Sequence, residues 1–296
     1  MASTTRQALL QALSAAEGAY ISGQQLAQQL GVSRAAVHKA AAALTAQGYA
    51  LEAASRRGYR LLGGDPFCTE AVGPYPAPVQ LYDTLESTNR TAKLLALEGA
   101  AHGTLVLAGG QTAGRGRRGH SWTSPEGENL TFTLVLEPVF LPVGEQFLLS
   151  EAVTLALTDT FAAFGIDARI KWTNDIYVGD KKLVGILIEH SYSGPTLART
   201  IAGIGINVNQ RAFDPALPNP VSMAVASGRT FDRREVLESF HACCMGRYDQ
   251  LVRGEKAALQ EEYRKRMYRL GETHPYRRPD GTLVEIVESK SHPWFV

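Results

Sequence analysis

A short glycine- and arginine-rich loop, residues 109–119, holds the side chains of this 296-residue chain best suited to binding an anion. Five of its eleven residues are glycine and three are arginine. Glycine lets a backbone approach a ligand closely, and clustered guanidinium groups donate forked hydrogen bonds to phosphate or carboxylate. The loop lacks the Gly-Lys-Ser/Thr ending of a Walker A loop. Its composition leaves two interpretations open, a loop that binds an anionic ligand and a solvated basic loop that contacts nucleic acid.

Two segments further along the chain favour the ligand-binding interpretation. Residues 171–175 end a short predicted strand in polar groups, and Lys181 and Lys182 start the next one. Residues 203–209 end an apolar strand in small residues followed by two asparagines. Small residues at this place predict backbone that lines a ligand cavity. The alternative for residues 203–209 is an ordinary transition from a strand to a turn. The alternative for Lys181 and Lys182 is a solvated turn, which is what an isolated pair of lysines usually forms.

The elements that must position these segments alternate between strand-like and helix-like stretches from residue 79 onward, an α/β arrangement of mixed order. A long helix is predicted to end at Gly165, and a second runs from a capping-box-like start at Asp232 to about Val252. The predicted strands cover residues 104–108, 130–136, 168–172, 183–190 and 200–207. The long helix covers residues 146–164, and a last helix over 255–269 precedes one strand-like run at 282–287.

The first 64 residues form a separate, more basic unit. Six lysine or arginine residues against two acidic ones give it a net charge of +4, more than the +1 of the whole chain. Three short helices are predicted near residues 4–14, 22–30 and 33–47, followed by strands at 49–52 and 58–61. This is the layout of a winged helix-turn-helix, which sets its recognition helix in the major groove.

Candidate DNA contacts lie on the third helix, which Ser33 is predicted to cap, and on the tip of the wing. They are Ser33, Arg34, His38, Lys39, Arg56 and Arg57. Cationic side chains at the wing tip suit phosphates, because their binding releases counterions. The third helix is mostly alanine and offers few long polar side chains that could read bases. The alternative for this unit is a small helical domain used for dimerisation or regulation.

Composition indicates a globular cytoplasmic protein of about two domains. Apolar residues make up 45% of the chain and charged residues 20%, and no apolar run approaches the length of a membrane span. The three cysteines (Cys68, Cys243, Cys244) lack zinc spacing, and free thiols fit a reducing compartment. Residues 65–78, rich in glycine and proline, are predicted to be a linker between a unit at residues 1–64 and one at residues 79–254. Residues 255–296 are predicted to be a third, C-terminal unit.

Five segments, in order and at matching spacing, closely resemble the bifunctional biotin–[acetyl-CoA-carboxylase] ligase and biotin-operon repressor family, the biotin protein ligases. They are residues 86–89, 114–119 followed by Trp122, 171–175, 182–186 and 203–209. The resemblance extends over roughly residues 5–270. It implies an α/β fold of the α+β type, with an N-terminal winged helix-turn-helix and a central mixed sheet like that of class II synthetases. Residues 271–296 are shorter than the family's C-terminal SH3-like barrel, so a truncated β segment is expected there.

The activity that the resemblance implies has two half-reactions. Biotin and ATP form biotinyl-5′-AMP with Mg²⁺, and the biotinyl group then passes to a lysine of a biotin carboxyl carrier protein. Operator DNA is a further implied partner, and a homodimer is expected when ligand is bound. One alternative is a non-catalytic regulator that binds DNA in response to biotin. Another is a lipoate or octanoate transferase, against which the arginine loop argues because an acyl-carrier donor needs no ATP cradle.

The resemblance also assigns roles to individual residues. Lys182, Arg117 and Arg115 are the implied catalytic residues, and no protein metal site is implied. Biotin binding is implied for Ser87, Thr88, Asn89, Gln111, Arg115, Gly116, Arg117, Lys182, Gly203 and Gly205. ATP binding is implied for Arg118, Trp122, Lys171, Asn174, Asp175 and Asn207. For residues 87–89 alone, a helix N-cap is the alternative role.

Overall fold

The structure is a computed structural model. It describes residues 5–16, 18–46, 49–63, 75, 77–116, 119, 121–125, 127–277 and 282–287. Cys68, Arg117, Arg118 and most of the predicted linker therefore lie outside the described residues, and their predicted roles stay predictions.

The N-terminal unit contains the three predicted helices, α1 (Thr5–Ala15), α2 (Gly23–Leu30) and α3 (Arg34–Ala46). Ser22 caps α2 in a capping box with Gln25, and Gly31 ends that helix in the left-handed conformation. Ser33 accepts a hydrogen bond from the backbone N–H of Ala36 at 3.1 Å, which confirms its predicted capping role. The inward leucines of α1 and α2 pack against Val37 and Leu44 of α3 in a small core of their own.

The wing is an antiparallel pair, β1 (Ala50–Ala54) and β2 (Gly58–Gly63). Gly58 starts β2 at φ +103°, and a Cβ there would lie 2.0 Å from the carbonyl oxygen of Ile21. Only glycine allows this approach, and Ile21 and Tyr59 exchange two backbone hydrogen bonds beside it. The wing is thereby fastened to the turn before α2, as a winged helix-turn-helix requires.

The central unit is built on a seven-stranded sheet with the order β3-β4-β5-β9-β8-β7-β6, in which only β3 and β4 pair in parallel. Its strands are β3 (Val79–Leu85), β4 (Leu105–Gln111), β5 (Leu130–Leu136), β6 (Arg169–Lys171), β7 (Asp175–Val178), β8 (Lys181–Ser193) and β9 (Thr196–Ile206). Its helices are α4 (Thr88–Leu97), α5 (Phe147–Ala163), α6 (Met223–Ser227), α7 (Arg233–Val252) and α8 (Lys256–Lys265).

Side-chain alternation divides this sheet into two unlike faces. In β5, Phe132 and Leu134 enter the large apolar core formed with α5, α7 and α8. Thr133 points to the other face, where its hydroxyl contacts Asn89 of α4. In β9, Gly203 and Gly205 lie on that same α4 face, while Ile204 between them enters the core. The alternation of side chains along these strands thus sets small and polar residues on one surface of the sheet.

Several predicted boundaries were wrong or incomplete. Strands β3 and β7, and the strand β10 (Thr273–Arg277) that pairs with β11 (Leu283–Val287), were not predicted. The last helix ends at Lys265 instead of Arg269, because the chain after it pairs with β6: Ile170 donates to the Arg266 carbonyl, and Tyr268 donates to the Ile170 carbonyl. Within the described part of the chain, no helix has the length and apolar character to cross a membrane.

A candidate ligand cavity on the central sheet

A cavity of about 430 Å³ opens on the α4 face of the sheet, between the start of α4 and strands β4, β8 and β9. Most of the predicted ligand-binding residues lie in its wall, although they come from distant parts of the sequence. They are Ser87, Thr88, Asn89, Gln111, Arg115, Gly116, Trp122, Asp175, Lys182, Gly203 and Gly205. The structure therefore brings together the arginine loop, the 171–175 segment and the glycine-rich strand in one site.

Glycines form the floor of the cavity because larger residues would collide with side chains lying on them. A Cβ at Gly203 would stand 2.1 Å from Asn89 Oδ1, and one at Gly205 would stand 2.2 Å from the Trp122 indole. Gly185 pairs with Gly205 across β8 and β9, and its Cβ would lie 2.7 Å from the same indole. The backbone of residues 203–205 lines the cavity as predicted, and the side chains of Asn89 and Trp122 lie over it.

One end of the cavity is a connected polar cluster at the start of α4. Ser87 occupies the N-cap position, yet its side chain makes no capping bond and lines the cavity instead. The backbone N–H of Thr88 donates to Gln111 Oε1 at 2.7 Å, and the Thr88 hydroxyl lies 3.1 Å from the same oxygen. The fully buried Thr133 hydroxyl lies 2.8 Å from Thr88 Oγ1 and 2.7 Å from Asn89 Oδ1. Fixed hydrogen-bonding groups at this end suit a rigid polar ring.

A lysine–carboxylate pair belongs to the β7–β8 side of the cavity. Lys182 Nζ lies 2.8 Å from Asp175 Oδ1, and each side chain is about one third exposed. The backbone of Lys182 is held on both sides, since its N–H donates to the Asn219 carbonyl at 2.7 Å and its carbonyl accepts from Val221 at 2.9 Å. Segment 219–221 thus fixes where the ammonium group starts, and a partly exposed cation is available to an anionic ligand.

Three predicted ATP-binding residues lie outside the cavity wall. Lys171 contacts Tyr177, with Nζ 3.2 Å from its hydroxyl. Asn174 is buried and its Nδ2 lies 3.4 Å from the carbonyl of Ile186. Asn207 is buried too and donates from Nδ2 to the Val221 carbonyl at 3.1 Å, so it anchors the segment that holds Lys182. Their ATP-binding roles stay predictions.

Sequence reasoning missed several residues of the wall. Ser121, Thr131, Trp172, Thr173 and Leu187 all line the cavity. Trp172 and Thr173 lay inside the 171–175 motif, so the motif itself was the available signal. Thr131 and Leu187 gave no signal, since a polar residue in a buried strand and a leucine in an apolar one are both common. Gly185 stood in the 182–186 match and also belongs to the floor.

A buried carboxyl lies in the large core behind the cavity. Glu151 of α5 is 6% exposed, and burial raises its pKa to about 7, partly offset by the charge of Arg264. Burial raises the pKa of the neighbouring Tyr263, the charge of Glu151 adds to that rise, and Tyr263 donates to the Thr173 carbonyl at 2.6 Å. The 172–175 segment therefore rests on a part of the core that contains a titratable group.

All six candidate DNA contacts of the N-terminal unit are exposed. Those on α3 lie on its outward face, while Val37, Ala40, Ala41 and Leu44 face the small core. On the wing, the guanidinium groups of Arg57 and Arg60 lie over the Tyr20 ring at 5.7 and 4.8 Å. Exposed cationic side chains therefore occur on both α3 and the wing.

Taken together, fold and cavity define a class of protein: an α/β domain with a polar cavity in its sheet, joined to a winged helix-turn-helix. The cavity combines a polar ring-binding end, a glycine floor and cations that suit a carboxylate or a phosphate. Comparison with known proteins narrows this class further.

The family model for the biotin/lipoate A/B protein ligase family matches residues 81–207, and a helix-turn-helix model matches residues 5–60. The bifunctional ligase/repressor BirA of Bacillus spizizenii is 38% identical over 268 residues, which cover 86% of this chain and 82% of that protein. The biotin–[acetyl-CoA-carboxylase] ligase of Paracoccus denitrificans is 37% identical over 63% of this chain and 80% of its own length. This chain belongs to the biotin/lipoate A/B protein ligase family, among the members that carry a helix-turn-helix domain.

Structural comparison agrees with the sequence comparison. The biotin protein ligase of Aquifex aeolicus, solved in complex with biotin and ATP, superimposes with a TM-score of 0.59 at 25% identity. The match covers 71% of this chain and 95% of the Aquifex chain. The predicted fold, a helix-turn-helix unit followed by a mixed-sheet ligase domain, is confirmed.

Proposed function

We propose that this protein is a biotin–protein ligase that makes biotinyl-5′-AMP from biotin and ATP and biotinylates a lysine of a biotin carboxyl carrier protein. The observation that carries the proposal is the cavity with two unlike parts, a fixed polar cluster at Thr88 and Asn89 and the Lys182–Asp175 pair. Such a cavity suits an acid with a polar ring and a carboxylate tail. The indole of Trp122 lies over Gly185 and Gly205 in the floor of the same cavity.

In the first half-reaction, a biotin carboxylate oxygen attacks the α-phosphorus of ATP and pyrophosphate leaves. Phosphoryl transfer mainly needs positioning and neutralisation of oxygen charge. We assign the ring to Ser87, Thr88, Asn89 and Gln111, and the carboxylate and α-phosphate to Lys182. The Lys182 ammonium donates to the oxygens on which negative charge accumulates. The backbone hydrogen bonds of Lys182 support this role because they fix where its side chain begins in the cavity wall.

In the second half-reaction, the carrier lysine attacks the acyl carbon of the mixed anhydride as a neutral amine, and AMP leaves with the bonding electrons. The arginine loop, with Arg115 and Gly116 in the cavity wall and Arg117 and Arg118 next along the chain, is proposed to close over the adenylate. Closure would exclude water, which hydrolyses the anhydride. Trp122 is proposed to contact the nucleotide as part of the same closed site.

Magnesium fits this site as an ion brought with ATP. Mg²⁺ is usually held by one or two carboxylates together with phosphate oxygens, and Asp175 is the carboxylate in the cavity wall. Asp175 would hold the ion, which supplies charge neutralisation of the phosphates. No cluster of three or more acidic, histidine or cysteine side chains that could hold a metal ion occurs among the described residues.

We also propose that the N-terminal unit binds operator DNA in response to biotin, through Arg34, Lys39, Arg56 and neighbouring exposed residues. Helix-turn-helix proteins read two half-sites as dimers, so a ligand-promoted homodimer is part of this proposal. The alanine-rich α3 offers few base-reading side chains, and we therefore expect phosphate contacts to dominate the affinity.

The test of the ligase proposal is transfer of labelled biotin to the lysine of a purified carrier domain, with and without ATP and Mg²⁺. Labelling that depends on ATP and Mg²⁺ is the expected result. Calorimetric binding of biotin without any transfer would overturn the ligase and leave a biotin-responsive regulator. Sedimentation with and without biotin and ATP tests the dimer, and a mobility shift with operator DNA tests the repressor.

A further inference from the structure

The amide of Asn89 is held in one orientation from behind the cavity. Its Nδ2 lies 3.2 Å from the Leu187 carbonyl oxygen and 2.8 Å from Glu189 Oε2. Both partners only accept hydrogen bonds, so the NH₂ side of the amide must face them. The amide oxygen then points the opposite way and lies over Gly203 at the cavity floor. Asn89 therefore offers a hydrogen-bond acceptor to the cavity.

Thr133 reinforces that orientation without using up the acceptor. Its hydroxyl lies 2.7 Å from Asn89 Oδ1, where a hydroxyl can donate. An amide oxygen has two lone pairs, so a second donor can still bind Asn89 Oδ1. Thr133 is fully buried and Asn89 is 6% exposed, so neither group can turn to bulk water instead.

Glu189 remains a carboxylate although it is partly buried. Burial raises its pKa, but the hydrogen bonds from Lys93 and Asn89 outweigh burial and hold the pKa below its usual range. Lys93 Nζ binds Oε1 and Asn89 binds Oε2, so each oxygen has its own donor. Glu189 is absent from the wall of the main cavity and lines a smaller one of about 250 Å³ behind Asn89 and Leu187. Its hydrogen bond with Asn89 connects it to the wall of the main cavity, and the charge of Arg115, another residue of that wall, also acts on it.

We propose that Glu189 is a positioning residue for cyclic-urea recognition: it locks the Asn89 amide so that Oδ1 accepts a ureido N–H of biotin. The inference rests on the proposed function, in which Asn89 binds the biotin ring. The family model covers ligases of biotin and of lipoate, and only biotin carries ureido N–H donors. An acceptor fixed from behind gives a site that discriminates between these acids, because an unmatched buried polar group is costly.

The experiment compares the Glu189→Gln variant with the wild-type protein, both as the full-length chain. Glutamine has nearly the same shape but can donate as well as accept, so the Asn89 amide is free to turn over. We expect the calorimetric Kd for biotin and for desthiobiotin, which keeps the urea, to rise about tenfold, the effect of one misplaced hydrogen bond. In pyrophosphate exchange, the KM for biotin should rise similarly while kcat and the KM for ATP stay within twofold.

Two further variants separate positioning from simple loss of an ion pair. Lys93→Met removes the ion pair but leaves a carboxylate facing Asn89, so its biotin Kd should change less than threefold. Glu255→Gln removes a carboxylate of similar exposure from a surface pair with Arg253 and should change nothing. Thermal melting of each variant verifies folding.

A biotin Kd within twofold of wild type in Glu189→Gln overturns the inference. So does an equal loss in Lys93→Met, or a parallel rise in the KM for ATP, since each would mean a general structural role. A wild-type protein that fails to bind biotin would overturn the proposed function itself, which keeps the two failures distinct.

Discussion

The Gly205→Ala variant tests whether the glycine floor shapes the site. The added Cβ would lie 2.2 Å from an indole atom of Trp122, while ordinary contact begins at 3.4 Å, so the ring must retreat by about 1.2 Å. The Trp122 backbone cannot follow, because its N–H donates to the Gly114 carbonyl at 2.9 Å and a Cβ at Gly114 would already lie 2.3 Å from the Trp122 carbonyl. The indole must therefore rotate away from Gly185 and Gly205.

Overpacking of this kind costs about 1–3 kcal/mol where neighbours cannot yield. If this free-energy cost reduces binding of the transition state, kcat/KM for adenylate formation falls by about 10- to 100-fold. Gly205 has no positive φ, so backbone strain does not add to this figure. The assay is biotin-dependent pyrophosphate exchange, with tryptophan fluorescence as a monitor of indole movement.

The matched control is Gly246→Ala on α7, where a Cβ meets nothing within 4 Å. Alanine in a helix is favoured over glycine by about 1 kcal/mol, so this variant should be slightly more stable and fully active. If Gly205→Ala formed adenylate as fast as Gly246→Ala, the indole would not be part of the ligand surface and the reasoning would be wrong.

Three other predictions concern charge. Lys182→Met should slow adenylate formation by about 10²- to 10³-fold, because it removes a group that stabilises developing charge. Its free energy of unfolding should change by less than about 1 kcal/mol, since the Lys182–Asp175 pair is partly exposed. Near-normal rates of pyrophosphate exchange would contradict the assigned role. Glu151 has a folded pKa of about 7, above the 4.5 of the unfolded chain, so the free energy of unfolding should fall by up to roughly 3 kcal/mol as pH rises from about 4.5 to 7. In Glu151→Gln the melting temperature should depend less on pH over that range, and an unaltered pH profile would refute the prediction. Replacing Arg56 and Arg57 by glutamine should weaken binding to any DNA sequence, as measured by fluorescence anisotropy. The slope of the logarithm of the binding constant against the logarithm of the salt concentration should fall in magnitude by up to about 2. An unchanged slope would place the wing away from the phosphates.

Local sequence signals determined the winged unit, most helices and most strands, while α6 was not predicted and the start of α4 was only an alternative for residues 87–89. Ser33 and Asp232 are N-caps in the structure as predicted, and Gly165 follows the end of α5 with positive φ. These features depend on neighbouring residues, so propensity, capping chemistry and periodicity contain the necessary information. The match of five ordered segments likewise identified the ligase family and most of the cavity wall.

Only the tertiary structure decided which residues share a surface. Asn89 meets Glu189 across 100 residues of sequence, and Tyr263 meets Thr173 across 90. The end of α8 is set by pairing with β6, which no local signal shows. Asn207 donates to the Val221 carbonyl and so anchors the segment behind Lys182, a contact that its motif did not show. Residue types along the chain specify what chemistry is available, while sheet order and side-chain direction decide which groups meet, because those depend on strands paired far apart in sequence.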